Sequence, residues 1–440
     1  MSDFKLDRMR CLLARIGNPQ EARPAVHIAG TKGKGSTATM VAAILARAGR
    51  RVGLFTSPHI SAFEERMRVD GRMPSPSELV ALVNRIAPHV RAIDSEPGRM
   101  SPTYFEIATA LAWMYFDDEQ VDIVVLEVGL GGRFDSTNIC DSAVSVITNI
   151  SRDHTKLLGC DLASIAREKA GIIKTGTPVV SGVQAREARD VVRRIAHDHS
   201  APLFETGSEL IWEAAQGACD GRSTLIDVET HRDRHCRIGV PLAGEHQAHN
   251  AALAVGVVDV LNDAGWGIAE HAVREGLRNL DCPLRIEVLS ERPTVIVDAA
   301  HNSASAVALV RTLKNAFASR RRILVFGTTR DKDVRGLLRI LLPNFDSVIL
   351  AEYADNPRAV PCHELREIVE SVGGFPVHTL ADAAGAWRLA RRLAGPDDLI
   401  CVTGSFFIAA EIREVAEEDL KGPILSTSDE GERLPIRDTP

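Results

Sequence analysis

Two hydrophobic rhythms alternate along this chain. Short unbroken apolar runs, the length of buried strands, are separated by longer stretches whose apolar positions recur at helical spacing. Val26–Ala29 reads as the first buried strand; a glycine-rich turn follows, and STATMVAAILARAG reads as a helix closing at Gly49. RVGLFTS is the next strand. PTYFEIATALAWMYFDDE reads as a long helix, and VDIVVLEVGLGG as a buried strand running into a glycine turn. AVSVITNI and TPVVSG are strands on either side of the helix DLASIAREKAGII. Strands alternating with helices predict an α/β fold with a mostly parallel, helix-flanked sheet. Residues 205–240 change character and read as short antiparallel strands appended to that sheet, after which HQAHNAALAVGVVDVLNDAG returns to helix.

Near residue 290 the pattern restarts. TVIVDAAHN is strand then loop, SASAVALVRTLKNAFAS is helix, and RILVFGTT, DSVILAEY and DLICVTGS are further strands. The reading is a larger α/β domain over 1–288 and a smaller one over 289–424. Residues 425–440 lack periodicity and are expected to form a mobile tail.

Composition narrows the function classes. The chain has 440 residues, enough for two full cores, and its 45% hydrophobic and 25% charged content is ordinary for a globular protein. The net charge of −7, with no long basic run, argues against nucleic-acid or anionic-membrane partners; the arginines of SRRRIL lead straight into a strand and read as a solvated helix end. The first residues, MSDFKLDRMRCLLARIG, carry no secretory signal, and no stretch approaches the ~18 apolar residues of a membrane span. The cysteines are scattered without a C-x-x-C pair, as expected of reduced thiols in a cytoplasm.

The chemistry begins at the first glycine turn, HIAGTKGKGSTATM, residues 27–40. A strand feeding a helix leaves backbone N–H groups free at the helix start, where the dipole also favours anions. Gly30, Gly33 and Gly35 let the backbone approach a phosphate, Lys34 can reach β and γ phosphates, and Thr31, Ser36 and Thr37 add hydroxyls. A solvated glycine turn accounts poorly for that density of glycine, lysine and hydroxyl. The strict phosphate-loop signature, G-x-x-x-x-G-K-[ST], is nonetheless broken. It needs glycine where Ile28 stands, and Gly35 intervenes between Lys34 and Ser36.

Other residues fall at strand ends. Glu127 closes an apolar strand, where ligands gather in open α/β sheets; its carboxylate suits Mg²⁺, or a pairing with Arg133. His154 follows a strand within TNISRDHTKLLG and could ligate a cation or be a plain exposed histidine. Ser57 lies in the loop after RVGLFTS and could complete a Mg²⁺ shell or serve only in a turn. Lys169, taken alone, is a surface lysine. Asn250, Arg285, Asp298 and His301 occupy HQAHN, PLRIE and VDAAHN; an arginine from an interdomain segment could neutralise phosphoryl charge.

Taken in order, HIAGTKGKGS, FTSPHISAFEERMRVDG, TYFE, LEVGLGGRFDSTN, DHTKLLG, IAREKAGIIK, HQAHNAALA, RIE, VDAAHN, DKD and TGS resemble the folylpolyglutamate synthase/dihydrofolate synthase family, the folate branch of the Mur ligase superfamily. The resemblance covers essentially the whole chain except the tail. It implies a P-loop ATPase domain, a smaller Rossmann-like C-terminal domain and an active site in the cleft between them. It also implies ATP and two Mg²⁺ ions as cofactors, with pterin or folate and L-glutamate as substrates. By the same resemblance, Thr31, Lys32, Gly33, Lys34, Gly35 and Ser36 hold ATP phosphates, and Asn250, Arg285 and Asp298 contact ATP. Ser57, Glu127 and His154 bind the metals, Lys169 matches a carbamylated lysine, and His301 sits near the phosphates. Thr103, Tyr104 and Phe105 match the segment lining the pterin site. A monomer is expected.

This chain departs from the family pattern in places. Lys32 stands where Asn is usual, Leu284 where the interdomain P-G-R has Gly, Arg152 where an apolar residue commonly precedes Asp-His, and TTRDKD replaces a Met-containing version. Two other readings compete. A sister Mur ligase acting on a UDP-sugar peptide is disfavoured by TYFE and by a phosphate loop within about 30 residues of the start. A nucleotide switch would not need Arg285, Asp298 and His301 in a second domain.

Overall fold

The computed structural model describes residues 6–98, 100–215, 223–354 and 356–421. The first domain is built on seven strands: β1 (Ala25–Ala29), β2 (Val52–Phe55), β3 (Met67–Val69), β4 (Ile123–Glu127), β5 (Ser142–Ile147), β6 (Val179–Ser181) and β7 (Leu203–Glu205). They lie in the order β3-β2-β4-β1-β5-β6-β7. All neighbours are parallel except β2 and β3. β1 is buried at every position, which explains its continuous apolar run: both faces of a parallel sheet are covered.

Topology then assembles the site. Chain order departs from spatial order at β1, which sits between β4 and β5. Ile28 is in register with Glu127, and Ala29 with Ile147. The loops leaving β1, β4 and β5 therefore emerge side by side at one sheet edge, where such folds gather ligands.

The helix Lys34–Arg47 packs on the helices Glu245–Asp263 and Glu270–Arg278. Glu245–Asp263 is apolar almost all round and is buried accordingly, joining β1, β4 and β5 in one core. The stretch expected as strands appended to the main sheet instead forms its own sheet of β8 (Ile211–Ala214), β9 (Thr224–Glu229) and β10 (Arg234–Val240), in the order β10-β9-β8. Its strands have one apolar face, carried by Ile226, Val228, Ile238 and Val240. That face needs a surface to cover, and it packs toward the 245–263 helix rather than pairing with the sheet edge at β7.

The second domain is a sheet of β11 (Glu287–Glu291), β12 (Thr294–Val297), β13 (Arg322–Phe326), β14 (Ser347–Ala351), β15 (Val377–Leu380) and β16 (Leu399–Thr403). The order is β11-β12-β16-β13-β14-β15, parallel except for β11. Successive strand residues feed two separate cores, Ile296, Leu324 and Cys401 on one face and Val295, Ile323 and Ile400 on the other. The linker into this domain keeps the left-handed turn that Gly would favour: Leu284 has φ +58° and Ile286 φ +53°. The Leu284 side chain is wholly buried in the second domain's core, and that burial offsets the backbone strain. The expected mobile tail, 425–440, lies outside the described residues.

Candidate active site

The phosphate loop is fixed from three directions. Gly33 caps the helix Lys34–Arg47 with φ +84°, and a Cβ there would lie 2.3 Å from Asn250 Oδ1. Thr148 Oγ1 donates to the Lys32 carbonyl at 2.7 Å. The Thr31 hydroxyl donates to the Ser151 carbonyl and accepts from the Ser151 N–H, each at 3.1 Å. Thr31 and Asn250 thus help to shape the loop.

A cavity of about 340 Å³ opens over this loop between the domains. Lining it are Thr31, Lys32, Gly33, Lys34, Gly35, Ser36, Ser57, Glu127, His154, Lys169, Arg285 and His301, so most of the residues singled out in the sequence converge. Asp153, Lys332, Arg358 and Ser405 line it too.

Glu127 is buried at the end of β4. Its Oε2 accepts the Ser57 N–H at 3.0 Å and its Oε1 lies 3.9 Å from Lys34 Nζ. Burial raises its pKa, opposed by Lys34. Arg133, the pairing partner considered for Glu127, instead bonds through its N–H to Glu168 O, and its guanidinium lies over Phe134. Ser57 lines the same wall, so a carboxylate and a hydroxyl face the phosphate loop, the hard oxygen donors Mg²⁺ prefers. Among the described residues no group of three His, Cys, Asp or Glu side chains is arranged to hold a metal ion by itself. That donor set suits an ion sharing its shell with substrate phosphates and water rather than one caged by protein.

Lys169 is no surface lysine. It is buried, and its Nζ donates to the Gly30 carbonyl at 2.9 Å. Burial and the neighbouring Lys34 push its amine down to about 7. The helix Leu162–Ala170 carries it under the glycine turn, where a Cβ at Gly132 would lie 2.8 Å from the Lys169 carbonyl. His154 takes a left-handed conformation, φ +48°, at the start of the helix Thr155–Leu158 and is half exposed; burial and nearby lysines hold its pKa down despite Asp153.

On the second domain, His301 Nδ1 bonds the Ala299 carbonyl at 2.9 Å, so Nε2 is the free lone pair, and Lys32 Nζ donates to it at 2.6 Å. Burial and Lys32 press His301 down to about 3. Arg285 reaches the cavity with Nη1 on the Leu284 carbonyl. Asp298 and Asn250 stand behind the lining. Asp298 accepts from Ile286 N (2.9 Å) and Ala300 N (2.8 Å), tying the linker to the end of β12.

Thr103, Tyr104 and Phe105 also lie apart from the cavity. Thr103 caps the helix Tyr104–Asp118 with Glu106 in a capping box. Tyr104 is 60% exposed, edge-on to Phe63 and under the Arg66 guanidinium. Phe105 packs on Phe55 and fills the space beside Gly129. Asp153, Lys332 and Arg358 went unassigned in the sequence. DHTKLLG and DKD held the first two, but only the folded chain shows them meeting.

A family model described as the Mur ligase middle domain matches residues 28–258, and one described as the Mur ligase glutamate ligase domain matches 284–406. The chain is 37% identical to the dihydrofolate synthase/folylpolyglutamate synthase of Bacillus subtilis, covering 93% of this chain and 94% of that one. It is 40% identical to its counterpart in Mycobacterium tuberculosis, covering 95% and 91%. The chain belongs to this Mur ligase family. Members of the folylpolyglutamate synthase family are ligases that use ATP to form amide bonds, and this chain is one of them. Its fold matches the M. tuberculosis folylpolyglutamate synthase complexed with ADP and AMPPCP at a TM-score of 0.87, 37% identity, 94% of this chain and 95% of that one. The Escherichia coli FolC in complex with DHPP and ADP matches at 0.85, 32% identity, 95% and 94%. No helix of the described residues is long and apolar enough to cross a membrane.

Proposed function

We propose that this folylpolyglutamate synthase relative joins L-glutamate to a folate-type carboxylate, on dihydropteroate, tetrahydrofolate polyglutamates or both, through an acyl phosphate, releasing ADP and phosphate. The observation that carries the reading is the convergence of the phosphate loop, Glu127 and a buried lysine on one interdomain cleft, in a chain aligned almost end to end with relatives of that name.

A carboxylate acylates poorly because oxide would have to leave. Moving the γ-phosphoryl of ATP onto it makes phosphate the leaving group. Lys34 at the helix start and Arg285 from the linker face the cavity where that charge gathers, and they offset it. The amine of glutamate then attacks the acyl carbon, phosphate departs and the amide forms. No protein nucleophile is needed; holding the reactants in line supplies much of the acceleration. The cleft between the domains must close to exclude water from the acyl phosphate.

Glu127 and Ser57 would hold one Mg²⁺ and His154 a second. Bound there, the ions supply Lewis-acid stabilisation of phosphoryl oxygens. Lys169 is read as the carbamylated lysine. Its amine, lowered to about 7, is substantially unprotonated at neutral pH. The free base adds CO₂ to give a carbamate and releases a proton, and the carbamate N–H can keep the bond to Gly30. ¹³C-bicarbonate should give a carbamate resonance that disappears in Lys169→Met; a spectrum without that resonance removes the assignment. Thr31 to Ser36 are read as phosphate contacts, Asn250 and Asp298 as supports of the ATP site. Tyr104, flanked by Phe63 and Arg66, is read as an aromatic shelf for a pterin, with Thr103 and Phe105 fixing its helix.

The test is glutamate-dependent phosphate release from ATP with dihydropteroate, tetrahydrofolate or a UDP-muramyl peptide as acceptor. Stimulation by a pterin acceptor is expected. Stimulation by the muramyl peptide alone would overturn the folate assignment.

A further inference from the structure

Lys32 sits in the phosphate loop but points away from it. Its backbone is pinned to the first domain, since the carbonyl accepts from Thr148 Oγ1 at 2.7 Å and the neighbouring Thr31 hydroxyl is tied to Ser151. Its side chain runs the other way, across the cleft. Nζ donates to His301 Nε2 of the second domain at 2.6 Å and lies 3.2 Å from Asp153 Oδ2.

Asp153 is itself gripped from across the cleft. Asn302 Nδ2 donates to its Oδ2 at 3.0 Å, and Lys332 Nζ lies 3.7 Å from its Oδ1. Asn302 is also the cap of the helix Ser303–Ala316, accepting the Ser305 N–H at 3.0 Å. The phosphate loop and the loop after β5 are thus joined to His301, Asn302 and Lys332 through one ammonium and one carboxylate. The Asp153 side chain is 10% exposed and that of Lys32 25%, so water screens the cluster only partly. An asparagine at position 32 ends far nearer its own backbone and carries no charge. It can reach neither His301 Nε2 nor Asp153 in this arrangement.

We propose that Lys32 is a positioning residue that clasps the second domain to the phosphate loop, holding His301 over the cleft and fixing the approach of the two domains. The inference does not depend on which acceptor the enzyme uses, and its test needs no substrate. The full-length protein, without added nucleotide, is compared with Lys32→Asn and Lys32→Arg by hydrogen exchange. In Lys32→Asn the amides of 299–305 and 151–156 should exchange about three- to tenfold faster, while those of β4 and β13 stay as in the parent. Lys32→Arg, which keeps charge and reach, should restore most of the protection. The substitution leaves the backbone bond from Thr148 to the position-32 carbonyl in place, so folding is expected, and unchanged exchange in β4 and β13 verifies it. Unaltered exchange at 299–305 in a folded Lys32→Asn protein would overturn the clasp, and a concurrent loss of ADP affinity would make Lys32 a phosphate ligand only.

Discussion

Changing Glu127 to Gln separates the chemistry of the site from its architecture. Glutamine fills the same volume, and its carbonyl oxygen can still accept the Ser57 N–H now held at 3.0 Å. What disappears is the charge. Lys34 Nζ lies 3.9 Å from the carboxylate, a gross attraction of about 4 kcal/mol at the effective dielectric suited to such sites. Against it stands the desolvation of a buried carboxylate, the force that raises its pKa. Desolvation is the larger of the two, so the protein should keep its stability or gain about 1–2 kcal/mol. Catalysis gains nothing from the exchange. If Glu127 holds Mg²⁺ as proposed, a metal ligand and part of the field around the transferring phosphoryl are lost together, and turnover should fall about 10²–10³-fold, or roughly 3–4 kcal/mol. The assay is glutamate-dependent phosphate release over a Mg²⁺ titration, beside a denaturation curve for each protein. A Glu127→Gln enzyme within about threefold of the parent at every Mg²⁺ concentration would show that the carboxylate does not serve the reaction.

Other perturbations probe the frame around the site. Leu284→Gly relieves a left-handed leucine worth about 1–2 kcal/mol but removes a wholly buried side chain worth about 3–5, so denaturant unfolding should show a net loss near 2–3 kcal/mol. A more stable variant would mean that strain, not packing, governs the linker. Asp298→Ala strips the acceptor from two backbone N–H groups and should cost about 2–3 kcal/mol, with Asp298→Asn milder because one acceptor oxygen remains; equal losses would contradict that account. His235 gives a pH dependence. Burial opposes its charge, but hydrogen bonds to Asp259 and Glu270 prevail and lift it to about 8. The raised pKa contributes stability that is complete below about 6.5 and fades as pH rises through 8, about 1–2 kcal/mol after allowance for the exposed Glu270. The stability difference between the parent and His235→Gln should therefore shrink between pH 6 and 8.5, and a constant difference would refute the linkage.

Much of this molecule could be read from its sequence, and the rest could not, for physical reasons. Buried parallel strands leave unbroken apolar runs, so β1, β4 and β5, and with them the positions of the phosphate loop and Glu127, are visible in one dimension. The small sheet of β8 to β10 was misplaced because an apolar face does not announce which surface it will cover. Lys169 looked like surface because Arg167 and Glu168 run directly into it. Only tertiary packing under the glycine turn buries it. Asp153 carried no signal of its role, since its partners at 32, 302 and 332 are gathered by the docking of two domains. Thr103, Tyr104 and Phe105 matched a family segment, yet they stand outside the main cavity and form a separate aromatic corner.

The irregular spelling of the phosphate loop has a source outside the loop. Gly35 is helical, so its backbone alone would accept any residue. A Cβ there would stand 3.3 Å from Glu127 Oε2, contributed by a strand ninety-odd positions later. The carboxylate closes on the position at which the standard signature spells its hydroxyl residue. Lys34 is consequently followed by an empty position, with the hydroxyl of Ser57 standing across the cavity wall. Glu127 therefore links position 35, on which its carboxylate closes, to Ser57, whose N–H it accepts. An alanine at 35 would ask the Glu127 carboxylate to shift by a few tenths of an ångström, so the spelling of the loop answers to a side chain that a pattern search confined to the loop never sees.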